Sequence, residues 1–257
     1  MTDVELDTRL RSNLLALKGL QLHARTLQGL ELPGVLALCE PLHPEVLFQQ
    51  QVLYREPEAL GPALPQLEAW YRAHGVPVWR VSVTPGHTAA ERALEAAGYR
   101  PGSPVMAMGR ELDAALSPSL PPSLPPGLTL EWPEDMDEVL TLNERCYAPG
   151  SMDFLASWRR PPLDPRMRAV LVCEGGRALS AGFTFEHEDA AGVYMIATHP
   201  EARRRGLGVR VMEALHADTL ARGRRLVVLQ ASVDGLPLYQ GLGYRALGEW
   251  INWVRSP

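Results

Sequence analysis

The chain has 257 residues, of which 46% are hydrophobic and 21% are charged, and its formal net charge is -5 at pH 7. This composition is typical of a globular protein with one large or two ordinary domains, and the negative charge argues against a general nucleic-acid binder. No apolar run approaches the roughly 20 residues that cross a bilayer, so we expect no membrane partner.

The three cysteines, Cys39, Cys146 and Cys173, are widely spaced along the chain. Their spacing predicts neither a disulfide framework nor a metal site. Residues 1–7 are acidic and lack the basic and apolar regions of a secretory signal peptide. We therefore expect a reduced, cytoplasmic protein that binds no metal.

The first half of the chain alternates helical and strand patterns, read from apolar periodicity and from glycines that suit helix ends. The predicted elements are a helix at 3–28, a strand at 34–39, a strand at 48–54, a helix at 64–74, a strand at 76–83, a helix at 88–97 and a strand at 105–108.

A proline-rich segment follows at residues 117–127, with the sequence Ser-Pro-Ser-Leu-Pro-Pro-Ser-Leu-Pro-Pro-Gly. Proline donates no backbone hydrogen bond and favours an extended conformation, so this density predicts a semi-rigid linker. The alternative is a surface loop within one domain. The predicted domains are therefore residues 1–116 and 128–257, separated by the linker at 117–127.

The second half again alternates strands and helices around a loop-rich stretch at 148–165. The predicted elements are a strand at 128–132, a helix at 134–147, a hairpin of strands at 168–173 and 178–187, a strand at 193–198, a helix at 209–222, a strand at 226–229, a helix at 235–241 and one or two strands within 244–254.

The two halves share an order of elements around a repeated tripeptide. A strand, a helix and Gly-Tyr-Arg occur in this order up to residues 98–100 and again up to residues 243–245. Two short matches alone are unremarkable, but the matching order of elements around them predicts tandem copies of one fold.

The most informative segment is residues 199–210, His-Pro-Glu-Ala-Arg-Arg-Arg-Gly-Leu-Gly-Val-Arg, between a predicted strand and a predicted helix. The first N–H groups of a helix have no intrahelical partner, and the helix dipole adds positive potential there. Glycines let the backbone approach a ligand closely, so the segment predicts a phosphate site. The alternative is a solvated, positively charged turn.

Residues 128–257 resemble the GNAT superfamily of acyl-CoA-dependent N-acyltransferases. The family's pyrophosphate loop, Arg/Gln-x-x-Gly-x-Gly/Ala, is matched by residues 203–208, and its late motif by Leu-Tyr-Gln-Gly-Leu-Gly-Tyr at 238–244. With the internal repeat, the resemblance implies an α/β (α+β) fold of two tandem GNAT-like domains. Each domain is expected to hold a mixed, mostly antiparallel sheet flanked by helices.

The resemblance also implies that acetyl-CoA is the cosubstrate. Backbone amides of residues 204–209 would hold its pyrophosphate, and the strand end at 196–198 would diverge from residues 229–231 so that the pantetheine arm pairs with it. The implied cofactor-binding residues are Ile196, Ala197, Thr198, Arg203, Arg204, Arg205, Gly206, Leu207, Gly208, Val209 and Ser232.

Tyr239 falls at the family's general-acid position, where a phenol protonates the departing CoA thiolate. The alternative is a tyrosine of the core. Glu186 is the first candidate for the general base, and His187, Glu188 and His199 are the others. Each of the four also fits a solvated polar residue at a strand end.

The resemblance assigns acceptor specificity to the loop that begins at residues 146–154 and runs on to Trp158. Asp153 in this loop is expected either to attract an amine or to cap a helix. Trp250 and Trp253 either line the same pocket or pack in the core.

The first half departs from the family pattern. No Gly-x-Gly turn lies between its strand at 48–54 and the following helix, and Leu94 aligns with Tyr239. The resemblance therefore implies a degenerate copy that binds no CoA and serves as scaffold, substrate wall or oligomer contact.

The predicted activity is transfer of an acetyl group from acetyl-CoA to a primary amine of a small molecule or peptide, by direct attack with Tyr239 as acid. One alternative is a biosynthetic acyltransferase of the mycothiol synthase type. Another is a non-catalytic acyl-CoA-binding sensor or scaffold. A monomer or a homodimer is expected.

Overall fold

A computed structural model describes residues 1–22, 26–113, 124–147, 153–159 and 163–255. The chain forms two compact units, and each combines separate stretches of sequence. We call Met1–Leu14 with Ala107–Leu247 the C-terminal unit, and Leu15–Met106 with Gly248–Pro257 the N-terminal unit.

The helices are α1 Asp3–Gln21, α2 Pro57–Ala73, α3 Thr88–Ala96, α4 Asp137–Tyr147, α5 Leu207–Ala221 and α6 Leu236–Gly241. The strands are β1 Gln28–Leu32, β2 Val35–Cys39, β3 Gln51–Tyr54, β4 Arg80–Val83, β5 Arg100–Glu111, β6 Leu128–Glu131, β7 Met167–Glu174, β8 Arg177–His187, β9 Ala190–Thr198, β10 Leu226–Ala231 and β11 Arg245–Val254. Short 3₁₀ helices span Ala156–Trp158 and Pro200–Ala202.

In the C-terminal unit the strands lie in the order β5, β10, β9, β8, β7, β6. The neighbours from β6 to β9 pair antiparallel, whereas β9 and β10 pair parallel. Helices α4 and α5 pack against β7, β8 and β9. This arrangement confirms the predicted mixed, mostly antiparallel sheet flanked by helices.

In the N-terminal unit β1, β2, β3, β4 and β11 are neighbours in that order. Pairing is antiparallel except between β3 and β4, which are parallel. The core is rich in aromatic side chains: Tyr71 stacks on Trp79 with ring centroids 4.6 Å apart, and the Trp79 indole N–H donates to the Tyr99 hydroxyl at 3.0 Å. These buried rings add apolar area and specific ring contacts to a core that also contains many aliphatic side chains.

The tandem repeat is visible in matching helix ends. Helix α3 is closed by the Tyr99 N–H, which donates to the Leu94 carbonyl at 3.0 Å, and α6 is closed by the Tyr244 N–H, which donates to the Tyr239 carbonyl at 3.0 Å. In both cases the residue before the tyrosine is a glycine at positive φ, which this type of helix end requires. Leu94 thus takes the position in the first copy that Tyr239 takes in the second.

The two units do not coincide with the predicted domains at 1–116 and 128–257, because each end of the chain belongs to the unit that the other half of the chain mainly forms. Residues 1–14 join the second half, and residues 248–257 join the first half, where β11 pairs with β4. Residues 117–123 of the predicted linker lie outside the described residues. At its end the Leu128 N–H donates to the Pro125 carbonyl at 3.2 Å and leads into β6.

The first segment of the chain differs from the prediction of a helix over 3–28, because α1 ends at Gln21. Residues 28–32 form β1 instead, which pairs with β2 through a tight turn at Gly34, where φ is +73°. Strand β1 is the outermost strand in the order of the sheet and buries little apolar surface, so its sequence carries a weak strand pattern.

Helix α2 also begins earlier than predicted, at Pro57 rather than near residue 64. Proline at the first helical position costs nothing, because the N–H that it lacks would have no intrahelical partner there. The connection from β3 to α2 therefore comprises only residues 55 and 56, which is shorter than predicted. None of the helices in the described parts of the chain combines the length and apolar character needed to cross a membrane.

Candidate active site

Strands β9 and β10 pair only over their first residues. Their register runs from Leu226 opposite Ala190 to Val228 opposite Gly192, and both strands continue beyond that point. The β8–β9 register shifts next to the unpaired part, and Met195 there has a φ of +53°. A non-glycine residue in this conformation costs about 1–2 kcal/mol. The geometry leaves an opening between the ends of two neighbouring parallel strands.

The backbone of β9 presents acceptors toward this opening. The Ala197 carbonyl accepts a hydrogen bond from the Ser180 hydroxyl of β8 at 2.9 Å, so it faces the β8 side. Carbonyls alternate along a strand, and those of Ile196 and Thr198 therefore face away from β8. The Ile196 carbonyl accepts from the Tyr147 hydroxyl at 2.9 Å, and the Thr198 carbonyl accepts from the Arg203 guanidinium at 3.3 Å.

The loop after β9 leads into α5 with two residues at positive φ, Arg204 at +66° and Gly206 at +75°. Gly206 caps α5 without a side-chain hydrogen bond, and the Arg210 N–H makes the first helical bond to its carbonyl at 3.2 Å. The N–H groups of residues 207–209 precede this bond and have no intrahelical acceptor. A Cβ atom on Gly206 would meet open space, so an anion has access to this cradle.

The three arginines of the loop differ in their contacts. Arg205 forms an ion pair with Glu174 of β7 at 2.6 Å, Arg203 donates to the Thr198 carbonyl, and Arg204 is exposed. The side chain of Arg205 is therefore held by Glu174. The backbone of the loop, together with Arg203 and Arg204, fits the predicted pyrophosphate site.

Gly208 is where the loop, β9 and α6 meet. A Cβ atom on Gly208 would lie 3.5 Å from Leu238 Cδ2 and 3.6 Å from Thr198 Oγ1. This contact brings the N-terminus of α5, the end of β9 and the residue before Tyr239 together. Most of the predicted cofactor residues therefore lie close together in the C-terminal unit.

Tyr239 is buried, with 8% of its surface exposed, on the short helix α6. A Cβ atom on Gly235 would lie 3.1 Å from Tyr239 Cε2, which places the ring against the turn that starts α6. Burial raises the pKa of the Tyr239 phenol, and the nearby Tyr147 raises it further. The phenol therefore stays protonated near neutral pH.

Ser232 lies in the same turn, where its hydroxyl accepts a hydrogen bond from the Gly235 N–H at 3.2 Å. It stabilises the start of α6 as an N-terminal cap does. Its observed contact is therefore structural, next to the ring of Tyr239.

Glu186 lies apart from the other predicted site residues. It is opposite Ala191 near the start of β9, whereas Ser180 is opposite Thr198 at the loop end. At about 3.3 Å per residue, the two positions are roughly 20 Å apart along the strands. The Glu186 carboxylate forms ion pairs with Arg222 at 3.0 Å and Arg224 at 3.5 Å. This geometry favours a structural ion pair over a general base.

The remaining base candidates are also engaged elsewhere. His187 bonds the Ser12 hydroxyl at 3.1 Å, and Glu188 lies 3.8 Å from the Arg9 guanidinium. His199 follows β9 directly, and its Nε2 accepts from Arg177 at 2.9 Å. Of the four, only His199 is close to the loop.

The predicted acceptor loop is described in part, since residues 148–152 lie outside the described residues. Asp153 is exposed and lies 3.9 Å from the Arg159 guanidinium, and its carbonyl accepts from the Ala156 N–H at 3.0 Å. Trp253 packs against the core of the N-terminal unit, and Trp250 is buried with 1% of its surface exposed. Packing in the core is the role that both tryptophans show.

Three residues of α4 contact the opening. Tyr147 and Cys146, whose thiol donates to the Thr198 carbonyl at 3.5 Å, belong to the predicted acceptor loop. Asn143, which donates its amide to the Met195 carbonyl at 2.9 Å, was not predicted. A signal was present, because Asn143 lies one turn after Val139 on the apolar face of the helix. Within the described residues, no group of three or more His, Cys, Asp or Glu side chains is arranged to hold a metal ion.

Comparison with known proteins agrees with this geometry. Residues 132–247 match the family of acetyltransferase (GNAT) domains. The chain is similar in fold to a GCN5-related N-acetyltransferase from Kribbella flavida, with 18% identity and a TM-score of 0.67 over 97% of this chain and 95% of that one. It is also similar to a GCN5-related N-acetyltransferase from Sphaerobacter thermophilus, with 19% identity and a TM-score of 0.60 over 99% and 93%.

A third similar structure is a tandem GNAT protein from the clavulanic acid biosynthesis pathway. Identity is 13% and the TM-score 0.60, over 98% of this chain and 94% of that one. Similarity over nearly the whole chain matches the tandem repeat seen in the helix ends. The loop at residues 199–206, the opening beside β9 and the buried phenol all lie within residues 132–247, the part of the chain that matches the acetyltransferase (GNAT) domain family. The similarity in fold to a tandem GNAT protein extends over nearly the whole chain.

Proposed function

We propose that this chain transfers an acetyl group from acetyl-CoA to a primary amine at a single site in the C-terminal unit. The observation that carries the proposal is the meeting point at Gly208, where an added Cβ atom would lie within 3.6 Å of both Leu238 and Thr198. There the N–H groups that precede the first helical bond of α5, the unpaired end of β9 and the helix of Tyr239 lie together. An extended acyl-CoA with a pyrophosphate at one end needs these three elements in this order.

Each element has a distinct role in the proposal. The amides at 204–209 and the side chains of Arg203 and Arg204 bind the pyrophosphate, and the outward carbonyls of β9 at 196–198 pair with the pantetheine. Acetyl-CoA supplies the activated thioester. Tyr239 gives its phenolic proton to the sulfur as the C–S bond breaks, and the amine forms the new C–N bond and loses its own proton to water. A proton from water then restores the phenol.

The experiment is thiol release from acetyl-CoA with a panel of primary amines, comparing the wild type with Tyr239→Phe. We expect kcat to fall by about 100-fold or more, the lower range for removal of a general acid. Tyr99→Phe is the matched control, because Tyr99 occupies the equivalent of Tyr244 in the first copy and bonds Trp79 instead. It should leave kcat unchanged.

Three other outcomes are informative. CoA binding without turnover for any amine would favour the sensor, and a thiol- or amino-sugar-specific acceptor would favour the mycothiol synthase type. If neither CoA nor acetyl-CoA raises the melting temperature, the proposal fails, because ligand at 100 times its Kd stabilises by about 2.7 kcal/mol.

The N-terminal unit is proposed to bind no CoA. Its equivalent of the pyrophosphate loop is the connection at residues 55 and 56, and Pro57 removes an N–H from the start of α2. Leu94 stands where the second copy has Tyr239. Calorimetric titration should therefore give one CoA per chain, and two sites per chain would contradict this.

A further inference from the structure

The opening beside β9 depends on a backbone conformation that the sequence does not favour. Methionine rarely adopts the positive φ that Met195 has, and this residue lies three positions after the last β9–β10 pair at Gly192. A β-strand with ordinary dihedral angles would let the two strands continue to pair. Some contact must hold Met195 in this conformation.

Asn143 of α4 makes that contact. Its side chain is 3% exposed, and its amide nitrogen donates to the Met195 carbonyl and to the Val139 carbonyl, both at 2.9 Å. The bond to Val139 lies within α4 and fixes the orientation of the amide. The second N–H of the same amide is then directed at Met195, so the pair of bonds fixes the strand against the helix.

We propose that Asn143 is a positioning residue that holds the Met195 conformation and thereby keeps β9 apart from β10 for the pantetheine arm. The proposal rests on the proposed function, because it needs acyl-CoA to occupy the opening. It assigns no contact with the ligand to Asn143 itself.

The chain offers a matched control in Asn13, another buried asparagine of the C-terminal unit. Its amide donates to the Phe185 and Ala190 carbonyls at 2.9 and 3.3 Å, and its oxygen accepts from the Tyr194 hydroxyl. Ala190 is at the paired end of β9, before the opening, and the bond to Tyr194 is made by its side chain rather than by the backbone of the unpaired part. Asn13→Ala removes more hydrogen bonds than Asn143→Ala, so it tests whether lost stability alone weakens CoA binding.

The test measures the Kd for acetyl-CoA and the melting temperature of wild type, Asn143→Ala and Asn13→Ala. Both variants should melt at a lower temperature. Asn143→Ala should raise the Kd roughly tenfold, the factor for a change of 1.4 kcal/mol, and Asn13→Ala should raise it less than about twofold. If Asn143→Ala does not fold, Asn143→Ser keeps a donor for Val139 but does not reach Met195.

A double-mutant cycle separates positioning from general stability. Glycine adopts positive φ without a side-chain clash, so Met195→Gly needs less support from Asn143. The Kd increase caused by Asn143→Ala should be smaller in the Met195→Gly background, and an undiminished increase would contradict positioning.

The outcomes distinguish this proposal from the proposed function. If the wild type does not bind acetyl-CoA, the proposed function and this role both fail. When the wild type binds but Asn143→Ala and Asn143→Ser bind equally well, only the positioning role is overturned. The positioning role is also overturned if Asn13→Ala weakens binding as much as Asn143→Ala.

Discussion

The ring of Tyr239 meets the ring of Tyr244 edge-on, with centroids 5.8 Å apart and planes at 67°. Tyr244 in turn shares a hydrogen bond of 2.7 Å with His216 Nε2. The proposed acid therefore packs on a tyrosine that a buried histidine of α5 holds in place. This arrangement links the stability of the site to pH.

Burial and, to a smaller extent, the nearby positive charge of Arg110 together lower the pKa of His216 from 6.5 to about 3. The unfolded chain therefore binds this proton between pH 6.5 and 3 while the folded chain does not, so stability falls as the pH falls through this window. The loss is at most about 1.4 kcal/mol per pH unit. His216→Gln carries no titrating group, and its melting temperature should fall less between pH 6.5 and 4.5 than that of the wild type. Equal falls would show that His216 does not set this dependence.

Gly235 leaves room for the ring of Tyr239. Its backbone lies in the right-handed helical region, so alanine fits its conformation, but the new Cβ would lie 3.1 Å from Tyr239 Cε2. Gly235→Ala should displace the phenol and lower kcat by about tenfold, since catalytic geometry tolerates little displacement. Gly241→Ala is the control, because a Cβ there meets nothing within 4 Å. A normal kcat in Gly235→Ala would show that catalysis does not depend on this position of the Tyr239 ring.

Gly206 tests the phosphate cradle with two substitutions. Gly206→Ala costs about 1–2 kcal/mol of stability through the positive φ, although the Cβ meets open space. Gly206→Glu has the same backbone cost and adds a carboxylate beside the free N–H groups. Calorimetry should show CoA binding in the alanine variant and none in the glutamate variant. Equal affinities would place the cofactor elsewhere.

Tyr147 bonds the Ile196 carbonyl that the pantetheine would use. Its hydroxyl therefore competes with the ligand, and Tyr147→Phe should lower the Kd for CoA by up to about fivefold, the factor for a hydrogen bond worth about 1 kcal/mol. Fluorescence or calorimetric titration measures this change. Weaker binding by Tyr147→Phe would mean that the phenol contacts the ligand instead.

The parts of the site that follow one another in the chain were predictable. Residues 203–208 combine arginines and glycines between a strand and a helix, and Tyr239 lies in a short motif, so local pattern and resemblance predict both as candidates. The two GNAT-like copies were also predictable, because Gly98 and Gly243 end equivalent helices and glycine suits positive φ.

Contacts between residues that are far apart in the chain could not be predicted from the sequence. Glu186 looks like a free carboxylate at a strand end, and only the fold brings Arg222 and Arg224 to it. Met195 at positive φ has no sequence signature, since methionine does not favour it. Asn143 acquires its partner from a strand 52 residues later. Such contacts depend on strand register and strand pairing, and no short segment of the sequence shows which distant residues will meet.

The exchange of chain ends has a consequence for synthesis on the ribosome. The N-terminal unit lacks its β11 segment until residues 248–257 have been made, although the rest of that unit ends at Met106. Helix α1 is synthesised first, but Arg9 in this helix pairs with Asp189, which is synthesised much later. The C-terminal unit is complete only at Leu247, and the N-terminal unit only when residues 248–257 follow. A cut within residues 117–127 divides both units between two fragments, so each fragment alone should fold incompletely and mixing the two should restore the fold.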